Sequence, residues 1–308
     1  MRLSIIRGGT SRAVFLHLRD LPALPADRDE LCLRLIGSPD PLAIDGLGGG
    51  VSSNSKVMFV GLPPEHPDCP PNVDLVSVFA QVSPTESHVD WSGNCGNISA
   101  AISTFAVHHG LISPRETVRV WNANTDSIFE LSHSGERIDV RFLAPGTLGP
   151  RVILPDSGLE ASLVDIANPI AMLRAADVGI DTCATPAALN ADEELLDRLE
   201  EIRQEAAGLM GLDGPVLPRL ALLGEGDPLP VLMTSVGRVH HALPATGILG
   251  IGGALALGGT IADRPPSTET VLRHPKGTVT VSASVVDGEL EWVALARSAR
   301  LIMDGEGF

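Results

Sequence analysis

The sequence predicts an α+β protein with two domains, and three observations lead to that prediction. The chain has 308 residues, which is longer than a single hydrophobic core usually supports. Short runs rich in β-branched and aromatic residues alternate with a few segments of helical periodicity. Each half also contains a glycine-rich loop that leads into an apolar helix, so the two halves share a similar plan.

The first domain is predicted to begin with two strands, LSIIRGG and AVFLHL, around a glycine turn. The segment ADRDELCLRLIGS follows as an amphipathic helix that ends near Gly37. A loop rich in Gly and Ser then runs into the strand VMFVG, which places Lys56 where the loop becomes strand. The run LVSVFAQVS is the next predicted strand.

A second helix is predicted for NISAAISTFAVHHG because its apolar residues follow helical spacing. Its predicted buried face comprises Ile98, Ala101, Ile102, Phe105 and Ala106. Gly110 is typical of a helix end. The polar loop DWSGNCGN comes directly before this helix, so we expect Cys95 at its N-terminus.

The second half continues with the strand-like pieces TVRVWNA, SIFELS and RIDVRFL. The acidic segment ADEELLDRLEEIRQEAAGLMG is typical of a surface helix that a glycine closes. Two short strands, PRLALLG and PVLMTSV, lead to HHALPATGILGIGGALALGG, where Thr246 is expected to occupy the N-cap position of an apolar helix. TVTVSASV and LEWVALARSARLIM are the last predicted strands.

The composition indicates a globular protein with no membrane-spanning segment. Hydrophobic residues make up 44% and charged residues 19% of the chain, so the protein can bury a sizeable core. The longest apolar runs are too short to cross a bilayer. The start, MRLSIIRGGTSR, lacks the sustained apolar region of a signal peptide, and we therefore expect a cytoplasmic location.

The charge balance argues against nucleic acid as a partner. The net charge is −16 and no basic cluster is present, whereas nucleic-acid binding depends on many Lys and Arg contacts to phosphates. The same charge repels small anions at long range. An anionic ligand must therefore be held by local features such as a few arginines or helix N-termini.

No metal site is expected. The cysteines are scattered without a C-x-x-C pair and are expected to be reduced thiols: Cys32, Cys69, Cys95 and Cys183. The adjacent histidine pairs at 108–109 and 240–241 lack the H-E-x-x-H spacing and have no cysteine nearby.

Two residues are candidates for acid/base chemistry. Lys56 is one of only two lysines among 22 basic residues, and lysine can lose its proton whereas arginine effectively cannot. Burial would favour its neutral amine and an anionic substrate would oppose this, so the sequence leaves open whether Lys56 is a base or only binds carboxylate. Cys95, within N-C-G-N, meets the positive end of a helix, which favours a thiolate; a buried structural cysteine is the alternative.

Two other motifs in the sequence are typical of different functions. Ser53 and Lys56 match S-x-x-K, the signature of serine–lysine hydrolases, but that motif opens a helix, and here the strand VMFV follows. The S-D-N and K-T-G companions are also missing from the sequence. GLGGG and GIGGALALGG fit neither G-x-G-x-x-G nor a Walker lysine, which argues against dinucleotide binding.

Taken together, the motifs closely resemble the PrpF family of 2-methylaconitate cis-trans isomerases. They are RGGTSR, GSPDP...IDGLGG, SSNSK, FAQV, VDWSGNCGN, HHA, RHPKG and RSARLIMDG, and they extend from near residue 7 to near residue 305. The resemblance implies the diaminopimelate epimerase fold, with two similar domains, each a curved sheet around a central helix, and the active site in the cleft between them. We expect the domains at 1–114 and 115–292, with the strand 293–308 completing the first.

The resemblance also implies a set of site residues. Lys56 and Cys95 match the catalytic residues. The residues expected to bind substrate are Ser11, Asn54, Ser55, Asn94, Gly96, Asn97, Thr246, Gly247 and His274. From the sequence alone, His274 either orients substrate, shuttles a proton or simply occupies a turn. The epimerases use a second cysteine where this chain has Ala245-Thr246, so a two-thiol racemase would lack its second base.

The function implied is a cofactor-independent isomerase that moves a proton within a small unsaturated di- or tricarboxylate such as 2-methylaconitate. A 4-oxalomesaconate tautomerase, a 3-methylitaconate delta-isomerase and a non-catalytic polycarboxylate-binding relative are the alternatives. A homodimer is a further expectation. The chain departs from the family in its shorter length, in Arg12 where lysine is common, and in Lys276 where a small residue is usual.

Overall fold

The structure is a computed structural model that describes residues 1–143, 146–213, 217–235 and 237–307. The chain divides into two compact units. Unit 1 comprises Met1–Arg141 with Ala296–Phe308, and unit 2 comprises Phe142–Leu295. Within each unit, a mixed sheet packs on a small number of helices, which confirms the predicted α+β class.

The secondary structure follows the chain in this order. Strands β1–β9 are Arg2–Gly8, Ser11–His17, Lys56–Gly61, Leu75–Val82, Val89–Asp90, Thr117–Asn122, Ser127–Ser134, Arg137–Leu143 and Gly146–Ile153. Strands β10–β18 are Glu160–Ile166, Asn168–Arg174, Arg219–Leu223, Leu229–Ser235, Arg238–Val239, Glu269–His274, Gly277–Val286, Glu289–Arg297 and Ala299–Glu306. Helices α1–α6 are Pro25–Ile36, Gly96–Ser99, Ile102–His108, Pro186–Leu189, Glu193–Met210 and Ala245–Leu257. None of the helices in the described ranges is long and apolar enough to cross a bilayer.

Unit 1 is built on a sheet in which antiparallel and parallel pairs alternate. Strand β1 is antiparallel to β2, β2 is parallel to β3, β3 is antiparallel to β4, β4 is parallel to β6, and β6 is antiparallel to β7. The short strand β5 pairs with the end of β4. Strand β18 lies along the other side of β1, from Arg2 opposite Glu306 to Gly8 opposite Ala299.

The pairing of β6 with β4 explains why unit 1 extends further than expected. The division was predicted after residue 114, but β6 begins at Thr117 and pairs through Val120 with Leu75 of β4. Strand β7 then pairs with β6, so these residues belong with the first sheet. Unit 1 consequently continues to Arg141, and Ala296–Phe308 joins it through β18.

The central helix of unit 1 is interrupted. All five residues of the predicted buried face are fully buried, as the spacing indicated. The helix nevertheless splits into α2 and α3, because the Ala101 N–H donates to Ile98 in a tight turn. The Ser99 hydroxyl also donates to the Cys95 carbonyl at 3.1 Å, a side-chain bond that favours a bend.

Unit 2 repeats the strand succession of unit 1. Strand β10 is antiparallel to β11, β11 is parallel to β12, β12 is antiparallel to β13, β13 is parallel to β15, and β15 is antiparallel to β16. The two-residue strand β14 pairs with the end of β13, as β5 does with β4. A helical crossover precedes β3 and another precedes β12. The similar plan of the two halves is therefore present strand by strand.

The central helix of unit 2 is α6, and its residues from Gly247 to Ala256 are all buried. Its glycines allow this close packing, since a Cβ at Gly252 would lie 2.3 Å from a methyl carbon of Val281. The surface helix α5 begins as predicted, with the Asp192 carboxylate accepting from the Leu195 N–H at 3.0 Å. It ends at Gly211 in the left-handed conformation.

The turn between β1 and β2 packs directly against Asn97, which lies two residues after Cys95. A Cβ at Gly8 would lie 2.2 Å from the Asn97 carbonyl oxygen, which is closer than real atoms approach. Gly9 has φ +51°, and an added Cβ there would lie 2.4 Å from the Asn97 side-chain oxygen. The two glycines of RGGTSR therefore allow α2 to pack directly against this turn.

We predict that Gly8→Ala lowers the free energy of unfolding by about 1–3 kcal/mol, because the new methyl group must displace the backbone at Asn97. The midpoint of urea unfolding measures this change. Gly305→Ala is the matched control, since Gly305 also lies in a strand and none of the described atoms is within 4 Å of an added Cβ. The control should stay within about 0.5 kcal/mol of the unaltered protein. Equal stability of the two variants would contradict the close-approach explanation.

Candidate active site

Lys56 lies at the start of β3, where the loop becomes strand as the sequence predicted. Its side chain is only 7% exposed. The amine donates a hydrogen bond to the Gln81 side-chain oxygen, and Gln81 is its direct partner on β4. The amine nitrogen also lies 5.4 Å from the centre of the Phe79 ring. Lys56 is therefore held by a neutral amide and an aromatic ring.

Gln81 is fixed by the backbone around it. Its side-chain NH₂ group has three carbonyl oxygens within hydrogen-bonding distance, those of Ser55 at 2.9 Å, Ser52 at 3.2 Å and Val82 at 3.3 Å. Rotating the amide by half a turn would place its oxygen against these carbonyls, so only one orientation is favourable. The Gln81 oxygen consequently faces the Lys56 amine.

Burial lowers the pKa of Lys56, and the nearby Cys95 opposes part of this effect. Within the part of the chain that the structure describes, no carboxylate forms an ion pair with the amine. The Gln81 oxygen that accepts from the amine is neutral and adds no charge that would hold the proton on Lys56. The environment thus favours the neutral amine more than water does.

Cys95 is the residue immediately before α2, as predicted, and it is partly exposed. Its backbone N–H donates to the Asn94 side-chain oxygen at 2.7 Å, and its carbonyl accepts from the Ser99 N–H. The thiol lies close enough to Lys56 and Arg297 to affect the pKa of each. Cys95 therefore lies within electrostatic range of two basic side chains.

Asn94, Gly96 and Asn97 surround Cys95. The Asn94 oxygen also lies 3.1 Å from the Ser99 hydroxyl, while its buried NH₂ nitrogen has no partner among the described residues. Gly96 is the first residue of α2. The Asn97 oxygen accepts from the Arg297 guanidinium at 2.8 Å, and its NH₂ group donates to Thr10 at 3.1 Å.

The predicted substrate-binding residues near Lys56 have different surroundings. Ser55 is fully buried, and its hydroxyl lies within donor distance of the Gly49 carbonyl at 2.6 Å and the Val51 carbonyl at 3.1 Å. Its observed contacts therefore hold the loop in place. Asn54 lies in the short helical turn before β3, and Ser11 is the first residue of β2 with 7% exposure.

The serine–lysine alternative lacks its key contact. The Ser53 hydroxyl donates to the Asn54 side-chain oxygen at 3.1 Å. The Lys56 amine donates instead to Gln81, and it stands on a strand rather than a helix. This arrangement offers no serine activated by lysine.

In unit 2, the expectation that Thr246 is an N-cap is wrong. Helix α6 begins at Ala245, and Pro244 is its N-cap, because the Pro244 carbonyl accepts from the Ile248 N–H at 3.0 Å. Thr246 is thus inside the first turn. Its hydroxyl oxygen lies 3.3 Å from the Arg219 guanidinium and 3.4 Å from the Asn168 amide nitrogen.

Gly247 and His274 also belong to unit 2. A Cβ at Gly247 would lie 2.3 Å from the Met233 sulfur, so a larger residue there would require the Met233 side chain to move. His274 ends β15, and its ring nitrogen accepts from the Lys276 N–H at 3.2 Å. Burial lowers the pKa of His274, while the side chain of Lys276 is exposed.

Three residues that form hydrogen bonds with predicted site residues were not predicted from the sequence: Gln81, Arg219 and Arg297. Burial lowers the pKa of both arginines, and neither forms an ion pair with a carboxylate of the described residues. Gln81 lies in the motif FAQV and Arg297 lies in RSAR. The sequence does not show the strand register that brings Gln81 opposite Lys56.

One cluster in unit 1 has the donor set of a metal site. Ligand atoms of His108, His109 and Asp304 lie within 4.8 Å of one another. Asp304 already accepts from Arg2 and from Ser4, each at 2.8 Å, so its carboxylate is satisfied by the protein. The expected absence of a metal stays a prediction.

Known proteins are similar to this chain over nearly its whole length. The 2-methyl-aconitate isomerase of Shewanella oneidensis is 33% identical, with 97% of this chain and 94% of that protein covered. The 3-methylitaconate isomerase of Eubacterium barkeri is 32% identical, with 98% and 95% covered. The crystal structure of a methylitaconate-delta-isomerase matches with a TM-score of 0.83 at 29% identity, covering 99% of this chain and 94% of that one.

A hydroxyproline epimerase from Agrobacterium vitis shares the fold alone, with a TM-score of 0.56 at 14% identity and 99% of this chain and 91% of that one covered. The fold and the relatives together define an isomerase with the diaminopimelate epimerase-like fold, which confirms the expected fold. A family model described as PrpF protein matches residues 1–137, 151–218 and 225–308. The chain belongs to the PrpF family, as its motifs indicated.

We predict that the Lys56 side chain titrates below the usual lysine pKa of about 10.4, because burial disfavours its charged form. The chain has two lysines, so protein labelled with ¹⁵N at the lysine side chain gives two signals to follow by NMR. In Lys276→Arg the remaining signal belongs to Lys56. A Lys56 signal that titrates at or above the usual value would contradict the desolvation seen in the structure.

Proposed function

We propose that this protein isomerises a small unsaturated di- or tricarboxylate, such as 2-methylaconitate, by an allylic proton shift with Lys56 as the base. The observation that carries the proposal is the buried Lys56 amine, held by the neutral Gln81 amide within electrostatic range of Cys95. A base must be neutral to accept a proton, and this environment favours the neutral form. The isomerase and delta-isomerase named among the relatives support the same reaction type.

The proton shift has two steps. The neutral Lys56 amine takes a proton from a carbon made acidic by conjugation to a carboxylate, which breaks a C–H bond, forms an N–H bond and leaves a dienolate. The Lys56 ammonium or the Cys95 thiol then delivers a proton to another carbon of the dienolate. If Cys95 delivers it, a proton passes from Lys56 to the thiolate to restore both groups.

Charge that develops on the dienolate needs stabilisation in a chain with a net charge of −16. Arg297 supplies a fixed positive charge near Cys95, and the unpartnered NH₂ group of Asn94 supplies a neutral donor. These groups are oriented by Asn97 and by the backbone of Cys95. Arg297 and Asn94 thus supply the local stabilisation of negative charge that the net charge of the chain cannot supply.

The remaining assignments belong to the same proposal. Ser11, Asn54, Asn97, Thr246 and His274 are proposed to bind substrate. The same proton shift on a different acid would make the protein a 4-oxalomesaconate tautomerase or a 3-methylitaconate delta-isomerase. The cytoplasmic location, the homodimer and the independence from a cofactor stay predictions.

We predict that Lys56→Ala slows solvent deuterium incorporation into 2-methylaconitate or trans-aconitate by about 10²–10⁴-fold, the usual contribution of a general base. NMR of the substrate in deuterated water measures the exchange. Lys276→Ala, which removes the other, exposed lysine, should exchange like the unaltered protein. Cys95→Ser should keep exchange at the first carbon but slow product formation if the thiol is the second donor.

Unchanged exchange in Lys56→Ala would rule out Lys56 as the base. An unaltered protein that binds these acids but never exchanges a proton would instead support the non-catalytic alternative.

We predict that substitutions at Gln81 move the pH dependence of catalysis. The kcat/KM should rise with pH as Lys56 loses its proton, and Gln81→Glu should shift this rise to higher pH because the new carboxylate stabilises the ammonium form. Gln81→Leu should lower kcat by about 10-fold through loss of one hydrogen bond to the base. A pH profile of Gln81→Glu that coincides with that of the unaltered protein would contradict this arrangement.

A further inference from the structure

The position of Lys56 in unit 1 has a counterpart in unit 2. Lys56 is the first residue of β3 and Arg219 is the first residue of β12. Each of these strands follows a helical crossover, is parallel to the strand before it and is antiparallel to the strand after it. Lys56 and Arg219 therefore occupy equivalent places in two sheets of the same succession.

The neighbours of Arg219 are equivalent as well. Asn168 is the first residue of β11, as Ser11 is of β2. Thr246 lies at the start of the central helix of unit 2, where Cys95 precedes the central helix of unit 1. Hydrogen-bonding distances of 3.3 Å and 3.4 Å join the Thr246 hydroxyl oxygen to Arg219 and to Asn168.

Arg219 has unused capacity for an anion. Its Nε atom is buried and has no acceptor among the described residues, and no carboxylate in those ranges forms an ion pair with its guanidinium. A buried guanidinium N–H without an acceptor, such as that of Nε, is unfavourable unless a ligand provides one. Because Thr246 accepts from Arg219 and from Asn168, its own hydroxyl proton is free to be donated elsewhere.

We propose that Arg219, with the Thr246 hydroxyl, binds a carboxylate group of the substrate. This inference rests on the proposed function for the identity of the ligand. Arginine suits the role because its planar guanidinium donates two parallel hydrogen bonds to a carboxylate. It effectively never loses its proton, so the unit 2 position cannot serve as a second base. The duplicated fold thus carries a base at one position and a fixed cation at its counterpart.

Binding of tricarballylate tests the proposal. This saturated tricarboxylate has no allylic proton, so calorimetry measures its affinity without turnover. Arg219→Gln should raise the Kd by about 10- to 100-fold, as expected for loss of charge-assisted hydrogen bonds. Arg219→Lys keeps the charge but not the paired donors, so its Kd should lie between those of the unaltered protein and Arg219→Gln. Arg238→Gln is the control, because Arg238 is an exposed arginine of the same unit and its loss changes the net charge equally.

Kinetics separate this role from a structural one. With 2-methylaconitate in deuterated water, Arg219→Gln should raise KM much more than it lowers the exchange rate at saturation. Lys56→Ala should instead lower the exchange rate at saturation. Thermal melts of all variants establish that they are folded. If Arg219→Gln does not fold, Arg219→Lys replaces it in the test. We then expect the Kd of Arg219→Lys to be at least about threefold above that of Arg238→Gln.

The outcomes distinguish the two proposals. A folded Arg219→Gln with the Kd and KM of the unaltered protein would overturn the role of Arg219 and leave Lys56 standing. Tight binding that depends on Arg219, in a protein that never exchanges deuterium, would support the carboxylate site and overturn the isomerase mechanism. No binding of tricarballylate by the unaltered protein would overturn the carboxylate site.

Discussion

The burial of one amine is the constraint on which the proposed chemistry depends. Lys56 is removed from water at the point where its loop becomes β3, and the protein offers it an amide oxygen and an aromatic ring rather than a carboxylate. A carboxylate in place of Gln81 would stabilise the charged form and work against a base. Three features maintain this environment together: the loop held by Ser55, the register of β3 with β4, and the backbone carbonyls that orient Gln81.

Local pattern was sufficient for several elements of the fold. The spacing of apolar residues identified the buried face that includes Ile98 and Phe105, and Gly37 ends α1 as its backbone freedom suggested. These features depend on residues that are neighbours in sequence. The same holds for Lys56 and Cys95, whose places at a loop end and a helix start are readable from the flanking glycines and asparagines.

The features that were missed depend on contacts between distant segments. Gln81 lies opposite Lys56 only because of the register between β3 and β4, and a single polar residue in an apolar strand gives no sign of this. Arg219 is one arginine among many until the sheet of unit 2 places it beside Thr246. The N-cap assignment failed because Pro244, which has no side-chain oxygen, caps α6 through its backbone carbonyl alone. Capping preferences for Ser and Thr therefore pointed two residues too far along the chain.

The pairing of β1 with β18 also determines the order in which the protein can be assembled during synthesis. Strand β1 is the first strand of unit 1, but its partner β18 is made only after the whole of unit 2 has been translated. Until then the edge of β1 is unpaired, and exposed strand edges favour association with other chains. Unit 2 is continuous in sequence and can form its core around α6 first. Unit 1, which carries the Lys56 amine, is therefore completed only after β18 has been made, so its sheet closes later than that of unit 2.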